Sequence, residues 1–310
     1  MSESYLGHLN DWGWRGYSVR YSYTPTTTSS AAAPAILVHG FGASLGHWRS
    51  NIPLLSRDRS VYAIDLLGCG GSSKPTDIHY TVDLWVEQLY EFWRDRIRQP
   101  AILSGHSLGG LIALTAAARY PEMVKGLNLI SCADGPHPEE FPPPIGWAIQ
   151  GLTEAVMCLV GFPGIYPLFF RRLRQEKPLR KAIRNTYKID ERVDDELVKI
   201  FQQPAFEEGA QEVLLELLRA ILTRRFESPR LLLPKIQVPI LILWGKDDPA
   251  VPSFFADKFV QWNPACQLVK LPGIGHCAHD ELPRWVTALI AEWATGLETG
   301  QTFGLTYQAV

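Results

Sequence analysis

The pentapeptide GHSLG, residues 105–109, places Ser107 between two glycines. The apolar run at 101–105 predicts a strand, and the alanine-rich run at 108–120 predicts a helix. A G-x-S-x-G sequence in this context is typical of a nucleophile elbow, a tight turn that lifts the serine hydroxyl above the sheet edge. The turn also places the backbone N–H of Leu108 at a helix start, where it can stabilise negative charge. The pattern predicts that Ser107 is a nucleophile.

Acidic and histidine candidates for the partners of this serine follow two later predicted strands. A serine nucleophile needs a base, and the base needs an acid that orients it. In a doubly wound hydrolase the chain order is serine, acid, histidine. LILWGKDDPAVP supplies Asp247 and Asp248, and LPGIGHCAHDELP supplies His276 and His279. Both segments come at carboxyl ends of strands, where open α/β sheets keep their sites.

Strands and helices are predicted to alternate over most of the chain. The strands lie at 35–38, 61–65, 101–105, 126–131, 239–245 and 267–273, and the helices at 81–98, 108–120, 253–262 and 282–296. Nearly all-apolar strands are typical of a parallel sheet that is buried on both faces. Residues 14–24 alternate instead, which predicts antiparallel edge strands.

The alternation stops near residue 134 and resumes at residue 239. Residues 135–235 begin rich in proline and continue with helical patterns but no clear strand. We therefore predict an α/β core of residues 1–134 and 236–310 and an inserted helical cap, or lid, of residues 135–235. The last residues, about 297–310, are predicted to form a loose tail.

Four motifs occur in an order that is specific to one family. They are HGFGAS at 39–44, GHSLG at 105–109, WGKDDPAVP at 244–252 and GIGHCAHDELP at 273–283. On these motifs the chain resembles the α/β-hydrolase superfamily over nearly its whole length. The resemblance implies a mostly parallel eight-stranded sheet flanked by helices, with an inserted helical cap.

The resemblance also assigns a catalytic site. It implies a triad of Ser107, Asp248 and His276, because the family acid sits in G-x-x-D and the family base in a G-H pair. It implies an oxyanion hole made by the backbone N–H groups of Phe41 and Leu108. Asp247 is expected to be a solvated loop acid, and the other polar residues near these motifs are expected to be structural: His39, Asp65, His106, His279 and Glu281.

This constellation predicts acyl transfer through an acyl-enzyme, with no metal and no organic cofactor. Relatives that are dehalogenases or epoxide hydrolases carry aspartate at the elbow, so a serine at 107 favours carboxylic ester hydrolysis. Hydrolysis of carbon–carbon bonds or amides and perhydrolysis use the same triad and stay open. A catalytically silent binding member of the fold is the alternative from another class.

The predicted cap begins with an apolar stretch. Residues 155–170 carry no charge, and residues 171–184 then hold seven arginines and lysines against one acid. One interpretation is a cap helix packed on the core beside a solvated basic face. The other is that residues 155–184 lean on an anionic membrane and admit a lipophilic substrate. Substrate contacts are expected around four residues of this stretch: Phe162, Ile165, Tyr166 and Phe169.

A narrower resemblance concerns the substrate. DWGWRGYSVRYSY, HGFGASLGHWRSNIPLL and VYAIDLLGCGGSSKP, with Leu67 where many relatives have proline, are similar to a cyanobacterial and plant-plastid branch. That branch includes pheophytinase and chlorophyll dephytylase, which cleave phytyl esters of chlorophyll-type pigments. The resemblance implies a phytyl ester as substrate, and a generic lipophilic or small ester is the alternative.

Composition limits the partners and the compartment. The 310 residues carry a net charge of −2, which gives no sign of nucleic-acid binding. The start of the chain lacks a secretory pattern, and the five scattered cysteines fit a reducing compartment. We expect a cytoplasmic protein, or one peripheral to the thylakoid membrane if the source is cyanobacterial.

Overall fold

One sheet organises the molecule in the computed structural model. The model describes residues 4–28, 32–134, 143–144, 151, 162, 164–222 and 226–301. The strands are β1 (His8–Trp14), β2 (Tyr17–Thr24), β3 (Ala35–Val38), β4 (Val61–Ile64), β5 (Ala101–His106), β6 (Val124–Ile130), β7 (Ile240–Gly245) and β8 (Cys266–Leu271). Their order across the sheet is β1-β2-β4-β3-β5-β6-β7-β8. β2 is antiparallel to β1 and β4, and all other neighbours are parallel.

Strand β3 is apolar throughout because both faces of the sheet are covered there. All four residues of β3 are fully buried. Ile36 and Val38 pack into the core on one face, and Ala35 and Leu37 pack into the core on the other. Successive side chains of a strand point to opposite faces, so a strand in this position needs apolar residues at every position.

Helices cover both faces of the sheet. They are α1 (Ile52–Leu55), α2 (Val82–Arg96), α3 (Leu108–Arg119), α4 (Ile165–Leu173), α5 (Glu176–Arg184), α6 (Asp195–Gln202), α7 (Ala210–Leu222), α8 (Pro229–Leu232), α9 (Phe254–Trp262), α10 (Ala278–Glu281) and α11 (Pro283–Thr299). Helices α2, α3 and α9 contribute to one core, and α1, α10 and α11 contribute to the other.

The chain between β6 and β7 forms helices α4 to α8 and no strand, as far as its residues are described. Tyr166 and Phe170 of α4 pack on Ala210 of α7. Pro167 lies in the first turn of α4, where its missing N–H costs no helical hydrogen bond. Residues 155–161 and 163 of the predicted apolar stretch lie outside the described residues, and the proposed cap boundaries stay a prediction.

Two predicted elements differ from the observed ones. The edge hairpin begins at His8, so β1 precedes the predicted range of 14–24. Helix α11 continues to Thr299, beyond the predicted end at 296, and residues 302–310 of the predicted tail lie outside the described part. No helix that the structure describes has both the length and the apolar character required to cross a bilayer.

Candidate active site

Ser107 occupies a strained turn between β5 and α3. Its backbone has φ 52° and ψ −118°, a region that non-glycine residues rarely adopt. Its N–H donates to the carbonyl of Ile130 on the neighbouring strand at 2.9 Å. A Cβ at Gly105 would overlap the carbonyl of Gly109, and a Cβ at Gly109 would overlap the carbonyl of His39. The two glycines are therefore required by the close approach of three backbone segments.

Asp248 and His276 meet at the ends of β7 and β8. The Nδ1 atom of His276 lies 2.8 Å from Oδ2 of Asp248, and both side chains are buried. The other carboxylate oxygen of Asp248 accepts backbone N–H groups from Ala250 and Val251 at 2.8 and 2.9 Å. These bonds fix the carboxylate so that its second oxygen faces the imidazole, which selects the tautomer with hydrogen on Nδ1.

The loop that carries His276 is held by the chain between β6 and β7. The N–H of His276 donates to the carbonyl of Thr186 at 2.8 Å. The buried carboxylate of Glu281 accepts N–H groups from Gly275, Lys188 and Ile189 at 2.9, 2.7 and 3.0 Å. Burial raises the pKa of Glu281, and these three N–H groups oppose that rise. The chain after α5 therefore helps to position the candidate base.

The structure brings Ser107 and His276 to the same edge of the sheet through His106. The Nε2 atom of His106 lies 3.1 Å from the carbonyl oxygen of His276, and the two rings are 4.8 Å apart between centroids. Among the described contacts, no hydrogen bond joins the Ser107 hydroxyl to the His276 imidazole. Hydrogen bonds of this kind are often long in ligand-free sites and shorten when substrate binds.

Two backbone N–H groups close to Ser107 are available to donate hydrogen bonds to an anion. Phe41 lies in the turn after β3, and Leu108 is the first residue of α3. Neither N–H donates to a protein acceptor within the described ranges. The turn is fixed by His39, whose Nδ1 atom pairs with the Gly40 carbonyl at 2.8 Å and whose Nε2 accepts the N–H of Leu66 at 3.1 Å. Burial lowers the pKa of His39 to about 4, so the ring is neutral.

Three further histidines form a buried cluster beside the candidate base. The cluster contains His47, His106 and His279, and one ring nitrogen of each lies within 4.8 Å of the other two. Among the described residues, these three nitrogens form the group that is close enough to bind a metal ion. Both nitrogens of His279 lack a hydrogen-bond partner there. Burial lowers the pKa of His47 to about 4 and holds the pKa values of the other two well below 6.5. All three rings are therefore neutral near pH 7.

A buried polar network that the sequence did not predict supports this cluster. The Tyr187 hydroxyl donates to Asp280 at 3.0 Å and lies 2.9 Å from Nε2 of His47. Asp280 also accepts from Arg192 at 3.0 Å and lies 3.6 Å from Nε of Arg49. These residues come from three distant parts of the chain, and Asp280 alone among them lies in one of the four motifs, so only the fold shows that they meet.

The two remaining acids of the motifs serve loops. The buried carboxylate of Asp65 accepts the N–H groups of Leu45 and Gly71 at 2.6 and 2.7 Å, and burial raises its pKa to about 6. Asp247 is exposed, and its carboxylate accepts the N–H of Gly273 at 2.8 Å. Neither acid pairs with a histidine in the described structure.

The four expected substrate-contact residues divide into two groups. Tyr166 is buried, and its hydroxyl donates to the carbonyl of Gln211 at 2.8 Å. Phe162, Ile165 and Phe169 are exposed instead. Tyr166 therefore contributes to the packing of α4 on α7. Phe162, Ile165 and Phe169 are available to contact a ligand or another surface.

Most of the chain matches one protein family. Residues 34–283 match the family model described as the alpha/beta hydrolase fold. The chain belongs to the α/β-hydrolase family. The matched region includes Ser107, Asp248 and His276, so the candidate site lies inside the part that this hydrolase shares with its family.

Individual relatives of this α/β hydrolase differ in what their names say they act on. The chain is 26% identical to the chloroplastic pheophytinase of Arabidopsis thaliana over 91% of its own length, and it covers 65% of that protein. It is 27% identical to the 2-hydroxymuconate semialdehyde hydrolase of Pseudomonas sp. (strain CF600), over 86% of this chain and 88% of that protein. The first similarity confirms the predicted resemblance to the pheophytinase branch.

A solved structure shows the same fold. A serine hydrolase involved in carbazole degradation superposes with a TM-score of 0.74 at 24% identity, over 95% of this chain and 99% of that chain. The predicted fold, a mostly parallel eight-stranded sheet flanked by helices, is thereby confirmed.

Proposed function

We propose that this protein is a serine hydrolase that cleaves a carboxylic ester through an acyl-enzyme. The observation that carries the proposal is the strained turn at Ser107, which lies at the same sheet edge as the hydrogen-bonded pair of Asp248 and His276. A half-buried serine on a strained turn has no packing role that would offset its backbone strain. A buried Asp–His pair at neighbouring strand ends supplies the base such a serine needs.

In the proposed first step, Nε2 of His276 takes the proton of the Ser107 hydroxyl as its oxygen attacks the substrate carbonyl carbon. The imidazolium that forms is stabilised by Asp248 through the 2.8 Å contact at Nδ1. The tetrahedral intermediate then collapses, the C–O bond to the alcohol breaks, and the alcohol leaves with the proton from His276. Water attacks the acyl-enzyme in the second half of the reaction, again with His276 as base.

The oxyanion of each tetrahedral intermediate is proposed to bind the free N–H groups of Phe41 and Leu108. Both groups are fixed before substrate arrives, Leu108 by the start of α3 and Phe41 by the turn that His39 holds. Preorganised donors of this type lower the barrier because they need no reorganisation as charge develops. Each such donor is worth about 3 kcal/mol in a well-studied protease.

For the substrate we propose a lipophilic ester, with the phytyl ester of a chlorophyll-type pigment as the specific candidate. The similarity to pheophytinase over 91% of the chain supports this choice. The exposed apolar side chains Phe162, Ile165 and Phe169 in the inserted segment support a substrate with a long hydrocarbon part.

Two other functions make different predictions. Hydrolysis of a carbon–carbon bond beside a carbonyl is favoured by the match to the 2-hydroxymuconate semialdehyde hydrolase, of which the chain covers 88%. It predicts turnover of a ring-cleavage semialdehyde and none of a phytyl ester. A silent binding member of the fold predicts no reaction with any acylating probe.

The test is covalent labelling by a fluorophosphonate probe, followed by a substrate panel. Labelling is expected for wild type and lost in Ser107→Ala, whereas the control Ser131→Ala keeps it, because Ser131 also has positive φ but is fully buried. The panel runs from p-nitrophenyl esters to pheophytin and a ring-cleavage semialdehyde. Release of phytol by wild type but not by Ser107→Ala supports the specific candidate. A protein that neither labels nor cleaves any ester refutes the proposal.

A further inference from the structure

Helix α4 exposes an apolar surface. Phe162, just before the helix, is 58% exposed, and Leu168 is 68% exposed. Ile165 and Phe169 are also exposed. Four of the seven large hydrophobic side chains that the described structure exposes thus lie within eight residues of each other. Scattered exposed apolar residues are normal, but a contiguous patch marks an interaction site.

The exposed face of α4 is separate from its packing face. Tyr166 and Phe170, four residues apart, bury one side of the helix against α7. Ile165, Leu168 and Phe169 follow the i, i+3, i+4 spacing that places them on a second stripe, and Arg172 continues it at i+7. Helix α4 therefore has two apolar faces, of which one packs on α7 and the other faces solvent.

Positive charge follows this apolar stripe along the chain. Arg171, Arg172, Lys177 and Lys181 are exposed, and none of the four has a carboxylate partner in the part of the chain that the structure describes. By contrast, Arg180 on the same segment is paired with Glu176 and Asp195. Ion pairs among the described residues therefore do not account for these four cations.

We propose that this surface, Phe162 with Ile165–Leu173 and the cations up to Lys181, docks on an anionic lipid bilayer. Apolar side chains enter the boundary between head groups and acyl chains, and lysines and arginines beside them attract anionic head groups. A protein partner would need acidic and apolar features matched to this pattern, whereas a bilayer with anionic lipids supplies both over any area. The helix is about 13 Å long, enough for three apolar residues to enter together.

The chain that directly follows this surface contacts the candidate active site. After α4 and α5 the chain reaches Thr186, whose carbonyl holds the N–H of His276, and Ile183 packs with Cys277. Docking through α4 is proposed to bring the catalytic edge of the sheet close to the bilayer. A lipophilic ester could then move from membrane to site without crossing water. Docking itself does not depend on the proposed hydrolase activity.

The test measures co-flotation with vesicles of phosphatidylcholine alone and of phosphatidylcholine with phosphatidylglycerol. Wild type is expected to float with the second and to lose binding at high salt, because exposed charges are screened. Leu168→Ser should lower the partition coefficient about tenfold. Arg171→Gln with Arg172→Gln should lower it about fivefold for each charge removed.

Matched controls keep the result specific to the surface. Leu231→Ser removes another exposed leucine, 58% exposed, from α8. Arg57→Gln with Lys125→Gln removes two exposed cations elsewhere. Both controls should bind like wild type. Hydrolysis of a short water-soluble ester should be unchanged in Leu168→Ser, which separates loss of docking from loss of catalysis.

Two outcomes would overturn the proposal. The first is wild type that stays unbound with anionic vesicles at low salt. The second is a dimer in sedimentation velocity that Leu168→Ser dissociates, because a second copy of the chain would then cover this surface.

Discussion

The buried ring of His47 allows the strongest prediction about pH. It is fully buried between Tyr187, His106 and His279. Burial lowers its pKa from 6.5 to about 4; Asp280 opposes this shift, and Arg49 adds to it. The folded protein therefore keeps the ring neutral at a pH at which the unfolded chain protonates it.

The sign and size of the effect follow from linkage. Because the folded pKa is lower than the unfolded one, the unfolded state binds more protons as the pH falls below about 6.5, and stability is lost toward the folded pKa of about 4. For this one ring the loss between pH 7 and pH 5 is about 2 kcal/mol. Asp65, with its pKa raised to about 6, opposes the loss by about 1 kcal/mol over the same interval.

The contribution of His47 can be isolated with His47→Gln. Glutamine does not titrate and can still donate to Tyr187, so the variant should lose about 2 kcal/mol less than wild type between pH 7 and pH 5. Urea unfolding followed by tryptophan fluorescence measures this difference. His8→Gln, at an exposed position of β1, controls for loss of one imidazole from the unfolded chain. Parallel pH profiles for wild type and His47→Gln would refute the reasoning.

Three further perturbations have defined outcomes. Asp248→Asn removes the acceptor that selects the His276 tautomer. The kcat for a p-nitrophenyl ester should therefore fall about 10⁴-fold, as in a protease triad, with little change in KM. An unchanged kcat would exclude Asp248 as the orienting acid. Gly105→Ala places a methyl group against the carbonyl of Gly109, so it should lower the free energy of unfolding, measured in urea, by at least about 1–3 kcal/mol. The control Gly13→Ala should not have this cost, because its added methyl group meets no neighbour. Dialysis against a chelator should leave ester hydrolysis unchanged; loss of activity restored by zinc would instead give the histidine cluster a metal-dependent role.

The parallel part of the sheet could be predicted because its signal is local. β3 is wholly apolar, and β5 and β7 begin with the apolar runs AIL and ILILW, which is the pattern of strands buried on both faces. β1 was not predicted, because HLNDWGW holds only a few apolar residues and its pairing with β2 is what fixes it as a strand. Edge strands of this kind depend on their partner more than on their own sequence.

The same distinction applies to the site. Ser107 was predicted from five contiguous residues, and the choice of His276 and Asp248 required the family resemblance. The link from His47 through Tyr187 to Asp280 was not predicted, because it joins residues 140 and 93 positions apart. Such contacts exist only after the inserted segment has packed on the core.

The central claim is that Ser107 carries the acyl group during turnover. Rapid mixing with a p-nitrophenyl ester, followed by acid quench and peptide mass spectrometry, tests it most directly. We predict a burst of about one nitrophenolate per protein and an acyl adduct on the peptide that contains Ser107, both absent in Ser107→Ala. Hydrolysis without a burst or adduct, or an adduct on another residue while Ser107→Ala retains activity, would contradict the account.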